Sequence, residues 1–193
     1  MTDLEAAASA IDDGDLVVYP TETVYGLGAD ALDPAVIERV FAAKDRDRDD
    51  PISLAVPDVE RALEYVTVTE RERRFLDRFL PGPVTVVCER RAPVPDALTA
   101  GLDRVGIRIP DHDLALALLD RVAPITATSA NVTGRPSVTR IADLDPEIRE
   151  AAAVVLDGGE TGGTASTVVD VERGGIHRRG TIADEIEAWL DAA

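Results

Sequence analysis

The single lysine of this chain, Lys44, stands in the charged run Ala-Lys-Asp-Arg-Asp-Arg at residues 43–48 and is the first candidate for a residue that does chemistry. Of the 20 lysine and arginine residues, the other 19 are arginines. Lysine offers a compact ammonium on a flexible stem, whereas arginine offers a planar fork. A lysine in an otherwise arginine-only chain therefore hints at a site that needs a point charge, such as a phosphate-binding site. A solvated charge run is the alternative that this pattern leaves open.

Three polar, glycine-containing stretches lie at the ends of predicted strands, where ligand-binding loops are commonly placed. Residues 20–28 (PTETVYGLG) follow the first strand, residues 128–137 (TSANVTGRPS) follow a later one, and residues 158–167 (GGETGGTAST) lead into another. Their hydroxyl, amide and backbone groups can donate hydrogen bonds to a small anionic ligand. An ordinary turn is the alternative for the first stretch and a simple glycine loop for the third.

Two arginines, Arg104 and Arg108, lie four residues apart in a predicted strand and therefore share one of its faces. Arginines that alternate with apolar residues often form a solvated strand face. They can also bind a carboxylate or a phosphate with two parallel hydrogen bonds. Both interpretations stay open on this pattern alone.

Several other kinds of site are excluded or disfavoured by the pattern. The pair Gly26-x-Gly28 has neither a third glycine nor a following helix, so it is not a dinucleotide fingerprint, and no Walker loop or G-x-S-x-G elbow occurs. Cys88 lies in an apolar strand-like run and is expected in the core. His112 and His177 show no spacing that suits zinc or a catalytic triad. What remains is a set of donors that can hold anions and orient reactants, as phosphoryl and nucleotidyl transfer require.

These side chains must be positioned by an irregular alternation of helices and strands. Apolar runs predict strands at 16–19, 51–56, 84–88, 105–109, 124–128, 153–156, 166–171 and 175–178. Caps and periodicity predict helices at 2–11, from 34 onward, 69–80, 111–119 and 181–190. No repeat or linker-like stretch interrupts them. We therefore expect an α/β fold with a mixed sheet, and a single domain over residues 1–193.

Composition and charge indicate the cellular environment in which the protein works. The chain has 193 residues, 45% of them hydrophobic, and a formal net charge of −17. Abundant aspartate, almost no lysine and few aromatic residues are typical of a protein from a cytoplasm with very high salt, where ions screen self-repulsion. The excess of negative charge disfavours non-specific binding of nucleic acid. An acidic N-terminal segment and the lack of a long apolar run predict a cytoplasmic protein with no membrane association.

Six segments, taken together, resemble a known family. In chain order they are 20–28 (PTETVYGLG), 44–46 (KDR) followed by Pro51-Ile52, 81–85 (PGPVT), 108–110 (RIP), 128–131 (TSAN) and 166–170 (STVVD). Each would be weak alone, but in this order they resemble the YrdC-like domain of the threonylcarbamoyl-AMP synthases. The resemblance extends from Gly14 to Ile182.

The resemblance implies both a fold and an activity. The implied fold is a twisted mixed sheet with surrounding helices and a large, concave, basic cavity. Members of the family condense L-threonine, bicarbonate and ATP, with Mg²⁺ accompanying the ATP, into threonylcarbamoyl-AMP and pyrophosphate. The product feeds threonylcarbamoylation of tRNA, so tRNA or a downstream threonylcarbamoyl transferase complex is an implied partner. Longer members carry a second, C-terminal domain.

The resemblance also implies roles for individual residues. Thr23 and Ser166 would hold the substrate threonine, with Arg108 on its carboxylate. Lys44 and Arg46 would be the catalytic residues, with the ammonium of Lys44 exposed in the site. The residues implied to bind ATP are Lys44, Arg46, Asp50, Arg104, Ser129, Asn131, Ser137 and Arg178. Asp50 stands where relatives often have an amide, and Ala55 stands where some relatives place a polar side chain near threonine.

Two other functions stay open at this point. One is a YciO-type paralogue of divergent activity, although the intact pairs Lys44-x-Arg46 and Ser129-x-Asn131 count against it. The other is a non-catalytic double-stranded RNA-binding module that uses a concave basic surface. The net charge of −17 makes that second function less attractive.

Overall fold

The centre of the structure, a computed structural model that describes residues 3–122 and 124–192, is one mixed β-sheet. The strands within those ranges are β1 (Leu16–Tyr19), β2 (Gly26–Gly28), β3 (Ser53–Ala55), β4 (Val66–Thr67), β5 (Val84–Arg90), β6 (Arg104–Arg108), β7 (Ile125–Ser129), β8 (Ala152–Val155), β9 (Thr167–Asp170) and β10 (Gly175–Arg178). Their order across the sheet is β10-β9-β5-β6-β3-β7-β2-β1-β8, with β4 beside β5. The pairs β1–β8, β3–β6 and β5–β9 are parallel and the others are antiparallel. The α/β fold with a mixed sheet is therefore confirmed.

The helices surround this sheet, and two of them begin where the sequence predicts. The helices of the described ranges are α1 (Asp3–Asp12), α2 (Pro34–Lys44), α3 (Val59–Ala62), α4 (Glu70–Phe79), α5 (Asp96–Thr99), α6 (Asp113–Val122), α7 (Pro146–Ala151) and α8 (Ala183–Ala192), with a 3₁₀ turn at Ile141–Asp143. Asp33 caps α2, with proline at its first position, and Thr69 and Glu72 form a complete capping box on α4. The predicted start of the first helix, Thr2, lies outside the described residues.

Strand β2 differs from the prediction, which placed residues 26–28 in a polar loop. It pairs with β1 on one side and β7 on the other. The ring of Tyr19 lies on this strand so closely that a Cβ at Gly26 would be 2.8 Å from Tyr19 Cζ. Glycine is needed here because the ring of Tyr19 approaches the backbone closely, not because the chain turns. Glycines are typical of turns, so the sequence pattern does not indicate a strand at this position. The short elements β4, α3, α5 and α7 were also missed.

Two apolar clusters hold the helices to the sheet. One includes residues of α1 and α6, such as Ile11 and Leu118, together with Ile125 of the sheet. The larger one includes Phe41 of α2 and Phe75 of α4. Cys88 is fully buried in the larger cluster, as predicted. In the described part of the chain, no helix combines the length and the apolar character needed to cross a membrane.

Candidate active site

A cavity of about 890 Å³ lies over one face of the sheet. Its floor consists of alternate residues of neighbouring strands, because every second side chain of a strand points to the same face. In β6 these are Arg104, Gly106 and Arg108, and in β5 they are Thr85 and Val87. The walls come from segments that follow or precede strands, at residues 21 and 23–25, 46 and 50–52, 129 and 137, and 165–166.

The cavity brings together nine of the eleven residues that the resemblance implied. They are Thr23, Arg46, Asp50, Arg104, Arg108, Ser129, Ser137, Ser166 and Arg178. These residues lie on different loops and strands, and the sheet order makes them neighbours. Lys44 and Asn131 are not part of the cavity wall.

Lys44 is buried rather than exposed, which corrects the prediction. Its side chain, 1% exposed at the C-terminal end of α2, donates hydrogen bonds to the backbone carbonyls of Ser129 and Asn131. Its own carbonyl accepts from the amide of Thr133 at 2.7 Å. Burial lowers the pKa of Lys44 to about 8, and the charge of Arg46 adds to this effect. The ammonium of Lys44 therefore contacts the backbone of the loop that carries site residues, and it does so outside the cavity.

Asn131 also holds this loop instead of facing the cavity. Its amide nitrogen donates to the carbonyls of Val132 and Arg135, each at 2.9 Å. The amide of Val132 in turn donates to the carboxylate of Asp145 at 2.9 Å. These bonds fix the segment that follows Ser129.

Arg108 is buried, so the solvated-face interpretation is wrong for it. One terminal nitrogen of its guanidinium donates to the carbonyls of Gly82 and Val84, and the other donates to Glu22 at 2.6 Å and to Thr23 Oγ1 at 3.5 Å. Burial lowers the pKa of Arg108, while the neighbouring Glu22 acts in the opposite direction. The guanidinium is thus held rigidly at the edge of the cavity.

Arg104 lies in the cavity floor but is surrounded by carboxylates. Its guanidinium is 3.1 Å from Asp170, 2.5 Å from Glu172 and 3.6 Å from Glu72. It also donates to the carbonyl of Val87 at 2.8 Å. These partners compensate its charge and link α4 and β9 to β6. Arg104 is therefore neither an arginine on a solvated strand face nor a guanidinium that is free to bind phosphate.

Arg46 and Arg178 are the cavity arginines whose charge is least compensated. Arg46 donates to the carbonyls of Asp50 and Pro51, and Arg178 donates to the backbone and the hydroxyl of Ser166. Among the ion pairs of the described residues, neither arginine has a carboxylate partner. The pKa of Arg178 is lowered by burial first, and then by the positive charges of Arg108 and Arg46. An anion that enters between these arginines would relieve their mutual repulsion.

Hydroxyl groups lie beside the arginines, and sequence reasoning missed some of them. Thr21 and Thr23 share a hydrogen bond of 2.8 Å, and Thr85 lies 3.1 Å from Ser166, oxygen to oxygen. Ser53 also lines the cavity. Ser53 and Thr85 lie on the strand face that bears Arg108, which becomes visible only when the register is known.

Two further residues differ from what the sequence suggested. Ala55, expected near the amino acid, is fully buried in an apolar cluster with Leu118 and Ile125 and does not line the cavity. His177, interpreted as incidental, lines the cavity on β10. Within residues 3–122 and 124–192, no group of three or more His, Cys, Asp or Glu side chains could hold a metal ion. The site is therefore a cluster of arginines and hydroxyls, which suits an anionic ligand that also carries polar groups.

Comparisons with known proteins show the family to which the chain is similar. A model of the Sua5/YciO/YrdC family, described as "Telomere recombination", matches residues 9–180. The threonylcarbamoyl-AMP synthase of Pyrococcus abyssi is 41% identical over 172 residues, which cover 87% of this chain and 50% of that protein. The chain spans about half the length of the first curated relatives that it matches.

Solved structures show the same likeness. The crystal structure of P. abyssi Sua5 complexed with L-threonine superposes with a TM-score of 0.88 at 37% identity, covering 98% of this chain and 58% of that one. The structure of Escherichia coli YciO gives a TM-score of 0.81 at 24% identity, covering 92% of this chain and 89% of that one, and so shares the fold.

Proposed function

This chain belongs to the Sua5/YciO/YrdC family, and we propose that it condenses L-threonine, bicarbonate and ATP into threonylcarbamoyl-AMP with release of pyrophosphate. The relative from P. abyssi bears the name of this activity, and the Sua5 structure from that organism is a complex with L-threonine. We propose further that the six motifs belong to one catalytic domain, since the strands that carry them form one sheet.

The observation that carries the proposal is the cluster of Arg46, Arg108 and Arg178 in the cavity of a chain with net charge −17. Repulsion among neighbouring cations is costly unless the site binds an anion. Threonine carbamate carries two negative charges and ATP about four, so joining them requires cations at the reacting groups. The cavity offers those cations together with hydroxyl donors.

The amino acid would bind at the Arg108 end of the cavity. Arg108 is proposed to bind its carboxylate, and the hydroxyls of Thr23 and Ser166 would bind its remaining polar groups. Thr23 Oγ1 lies 3.5 Å from the guanidinium of Arg108, which places both groups within reach of one small ligand. Arg178 donates to Ser166 Oγ at 2.9 Å and thereby connects this end with the phosphate end.

The phosphates of ATP would bind where the charge is least compensated. Arg46 and Arg178 are the proposed cationic contacts, with Ser129 and Ser137 as hydroxyl donors in the wall. Lys44 and Asn131, which the resemblance assigned to ATP, would act by holding the loop of Ser129 in place. Asp50 lines the same wall beside Arg46, and Arg104 would organise the floor through its carboxylate partners.

In the proposed reaction the protein contributes little covalent chemistry. The threonine amine combines with bicarbonate to give a carbamate and water. An oxygen of the carbamate then attacks the α-phosphorus, forming one O–P bond while the bond to the pyrophosphate leaving group breaks in line. Magnesium would enter as part of the ATP substrate, coordinated by its phosphates. The side chains described above orient the reactants and neutralise charge.

The decisive experiment combines the protein with ATP, Mg²⁺, L-threonine and bicarbonate in concentrated salt. We expect pyrophosphate release that depends on both threonine and bicarbonate, and an adenylate of the corresponding mass. Arg178→Gln should abolish most of the turnover. Arg179→Gln is the matched control, because that neighbouring arginine is paired with Asp184 and Glu187 on the surface.

Other outcomes would identify the alternatives. AMP formation without any need for threonine would favour a divergent YciO-type activity. Binding of double-stranded RNA with no turnover would favour the non-catalytic module. The downstream acceptor of the adenylate, which we propose to be the machinery that modifies tRNA, would be identified by transfer of labelled threonine to tRNA in a reconstituted reaction.

A further inference from the structure

The hydroxyl of Thr85 lies beside that of Ser166 at the edge of the cavity floor. Thr85 belongs to β5 and is 5% exposed, and its side chain lines the cavity. Its Oγ1 is 3.1 Å from Ser166 Oγ. The motif PGPVT at residues 81–85 contains this threonine, but the roles proposed above do not use it.

Packing fixes the direction in which Thr85 presents its hydroxyl. Thr85 is paired in register with Arg108 of β6 and with Val168 of β9. A Cβ at Gly106 would lie 2.8 Å from the methyl carbon of Thr85, so the methyl group lies against this glycine. A β-branched side chain has few alternative rotamers, and the hydroxyl is therefore held toward Ser166.

The hydrogen bonds of the two hydroxyls can be counted. Arginine has no acceptor, so Arg178 donates to Ser166 Oγ, at 2.9 Å, and fills one of its lone pairs. The bond between Ser166 and Thr85 uses one hydrogen and one further lone pair, whichever group donates. The pair is left with one hydrogen and two lone pairs that can face the cavity. This combination matches a ligand hydroxyl, which both donates and accepts.

The position of Arg108 beside Thr85 suits an amino acid with a hydroxyl on its β-carbon. Thr85 lies directly opposite Arg108 in the β5–β6 register, and the guanidinium of Arg108 donates to the carbonyl of Val84, the residue before Thr85. The guanidinium and the two hydroxyls of Thr85 and Ser166 line the same cavity. A small amino acid whose carboxylate binds Arg108 can therefore turn its β-hydroxyl toward Thr85 and Ser166.

We propose that Thr85 is a specificity-determining residue: together with Ser166 it forms a pair of hydroxyls that binds the β-hydroxyl of the amino-acid substrate and discriminates against amino acids that lack it. This inference rests on the proposed function of the cavity. When a ligand without the hydroxyl enters, the remaining hydrogen and lone pairs lose contact with water and gain no partner.

The test compares L-threonine with L-2-aminobutyrate, which has the same carbon skeleton without the hydroxyl. Thr85→Val removes the hydroxyl and keeps the shape, and Thr85→Ser keeps the hydroxyl. We expect Thr85→Val to lower the kcat/KM preference for threonine over 2-aminobutyrate by about 10- to 100-fold, as the loss of one hydrogen-bonding partner implies. The KM for ATP should stay unchanged, and Thr85→Ser should retain the preference.

Thr99→Val is the matched control for these variants. Thr99 is also fully buried, but it lies in α5 outside the cavity wall, and its hydroxyl has no partner among the described residues. Its substitution should leave the preference unchanged. Should Thr85→Val fail to fold, as its thermal midpoint would reveal, Thr85→Ala tests the same loss of the hydroxyl.

Failure of this inference can be separated from failure of the proposed function. A Thr85→Val protein that folds and keeps the full preference for threonine would overturn the role of Thr85. Calorimetric titration of each amino acid without ATP provides a readout that needs no turnover. Wild-type protein that binds threonine but releases no pyrophosphate would refute the proposed function, and the binding preference of Thr85→Val would then decide the inference. Wild-type protein that binds neither amino acid would overturn both.

Discussion

Lys44 reaches the loop after β7 from the end of α2, so its ammonium supports the site without lining the cavity. The backbone carbonyls of Ser129 and Asn131 are its acceptors, and they lie 85 and 87 residues further along the chain. A buried charge with two hydrogen-bond acceptors is tolerated because the acceptors replace part of its lost hydration. The role of this lysine is therefore to position Ser129.

Substitution of Lys44 should affect stability as well as activity, in contrast to what an exposed lysine would do. Lys44→Ala leaves two buried carbonyls without a donor, and we expect the free energy of unfolding to fall by about 1–3 kcal/mol. Turnover should fall too, because the loop of Ser129 loses its support. Urea denaturation and pyrophosphate release measure the two effects. Arg48→Ala, which removes an exposed cation paired with Glu38, is the control and should leave the free energy of unfolding nearly unchanged.

The pH dependence of stability provides an independent check on the burial of Lys44. Its folded pKa, about 8, lies below the ordinary value of 10.5, because burial and Arg46 disfavour the ammonium while Asp145 favours it only in part. Between these two values the unfolded chain binds a proton that the folded chain has lost, so stability rises with pH across that window. The neutral amine still has two hydrogens for its two carbonyls.

We expect wild-type protein to gain on the order of 1–3 kcal/mol of unfolding free energy, relative to Lys44→Met, as the pH rises from about 8 to 10.5. Below that window both states are protonated and the difference between the two proteins should be constant. The Met variant removes the titrating group and keeps most of the side-chain volume, so it isolates this effect. Parallel pH profiles of the two proteins would show that the lysine titrates normally.

At the scale of the elements, the face of β6 that carries Arg104, Gly106 and Arg108 sets the shape of the cavity floor. The glycine in the middle leaves room for neighbours on both sides: a Cβ at Gly106 would clash with the hydroxyl of Ser53 and lie 2.8 Å from the methyl carbon of Thr85. Strand glycines commonly mark such close approaches.

Gly106→Ala should therefore weaken both substrate binding and the fold. The added methyl group must displace Ser53, whose hydroxyl can rotate, and Thr85, whose side chain is stiff. We expect a KM for threonine raised by about tenfold or more and a stability loss of about 1–3 kcal/mol, as for overpacked sites. Gly175→Ala, in β10, is the control, because a Cβ there meets nothing within 4 Å. Equal effects of both substitutions on KM would argue against this account.

The elements that the sequence predicted correctly are those with local causes. Asp33 followed by proline sets the start of α2, and Thr69 with Glu72 sets the start of α4. Strand β2 was missed because its glycines serve the ring of Tyr19, which belongs to the neighbouring strand. A requirement imposed by a neighbour in space leaves no periodic signal.

The sequence predicted many residues of the site, but it did not predict the groups that contact them. The motifs led to Arg104 and Arg108, but the carboxylates that surround Arg104 come from α4 and from the region of β9. The burial of Lys44 likewise depends on carbonyls of a distant loop. Strand order decides these contacts, and the position of β3 between β6 and β7 cannot be inferred from local patterns.

At the scale of the whole molecule, the cavity and the surface have opposite electrostatic characters. The cavity wall contains five arginines and three aspartates, while the chain as a whole carries 37 acidic and 20 basic residues. Many of the surface arginines are paired, as Arg39 is with Asp15 and Arg140 with Glu160. Even if every basic residue neutralised one acid, 37 − 20 = 17 acidic groups would remain without a counter-charge. An anionic substrate must therefore approach through a negative field to reach a positive site.

Salt should stabilise the fold because it screens the repulsion among these 17 excess charges. The Debye length falls from about 10 Å at 0.1 M to about 3 Å at 1 M, which removes long-range repulsion and also weakens the exposed ion pairs. Exposed pairs contribute little each, so the loss of repulsion dominates and the thermal midpoint should rise strongly between dilute buffer and molar KCl. Sucrose at equal osmolality is the control for effects of excluded solutes on hydration. The same screening should lower the KM for ATP, and a thermal midpoint that stays flat over this range would contradict the adaptation to high salt that the composition predicts.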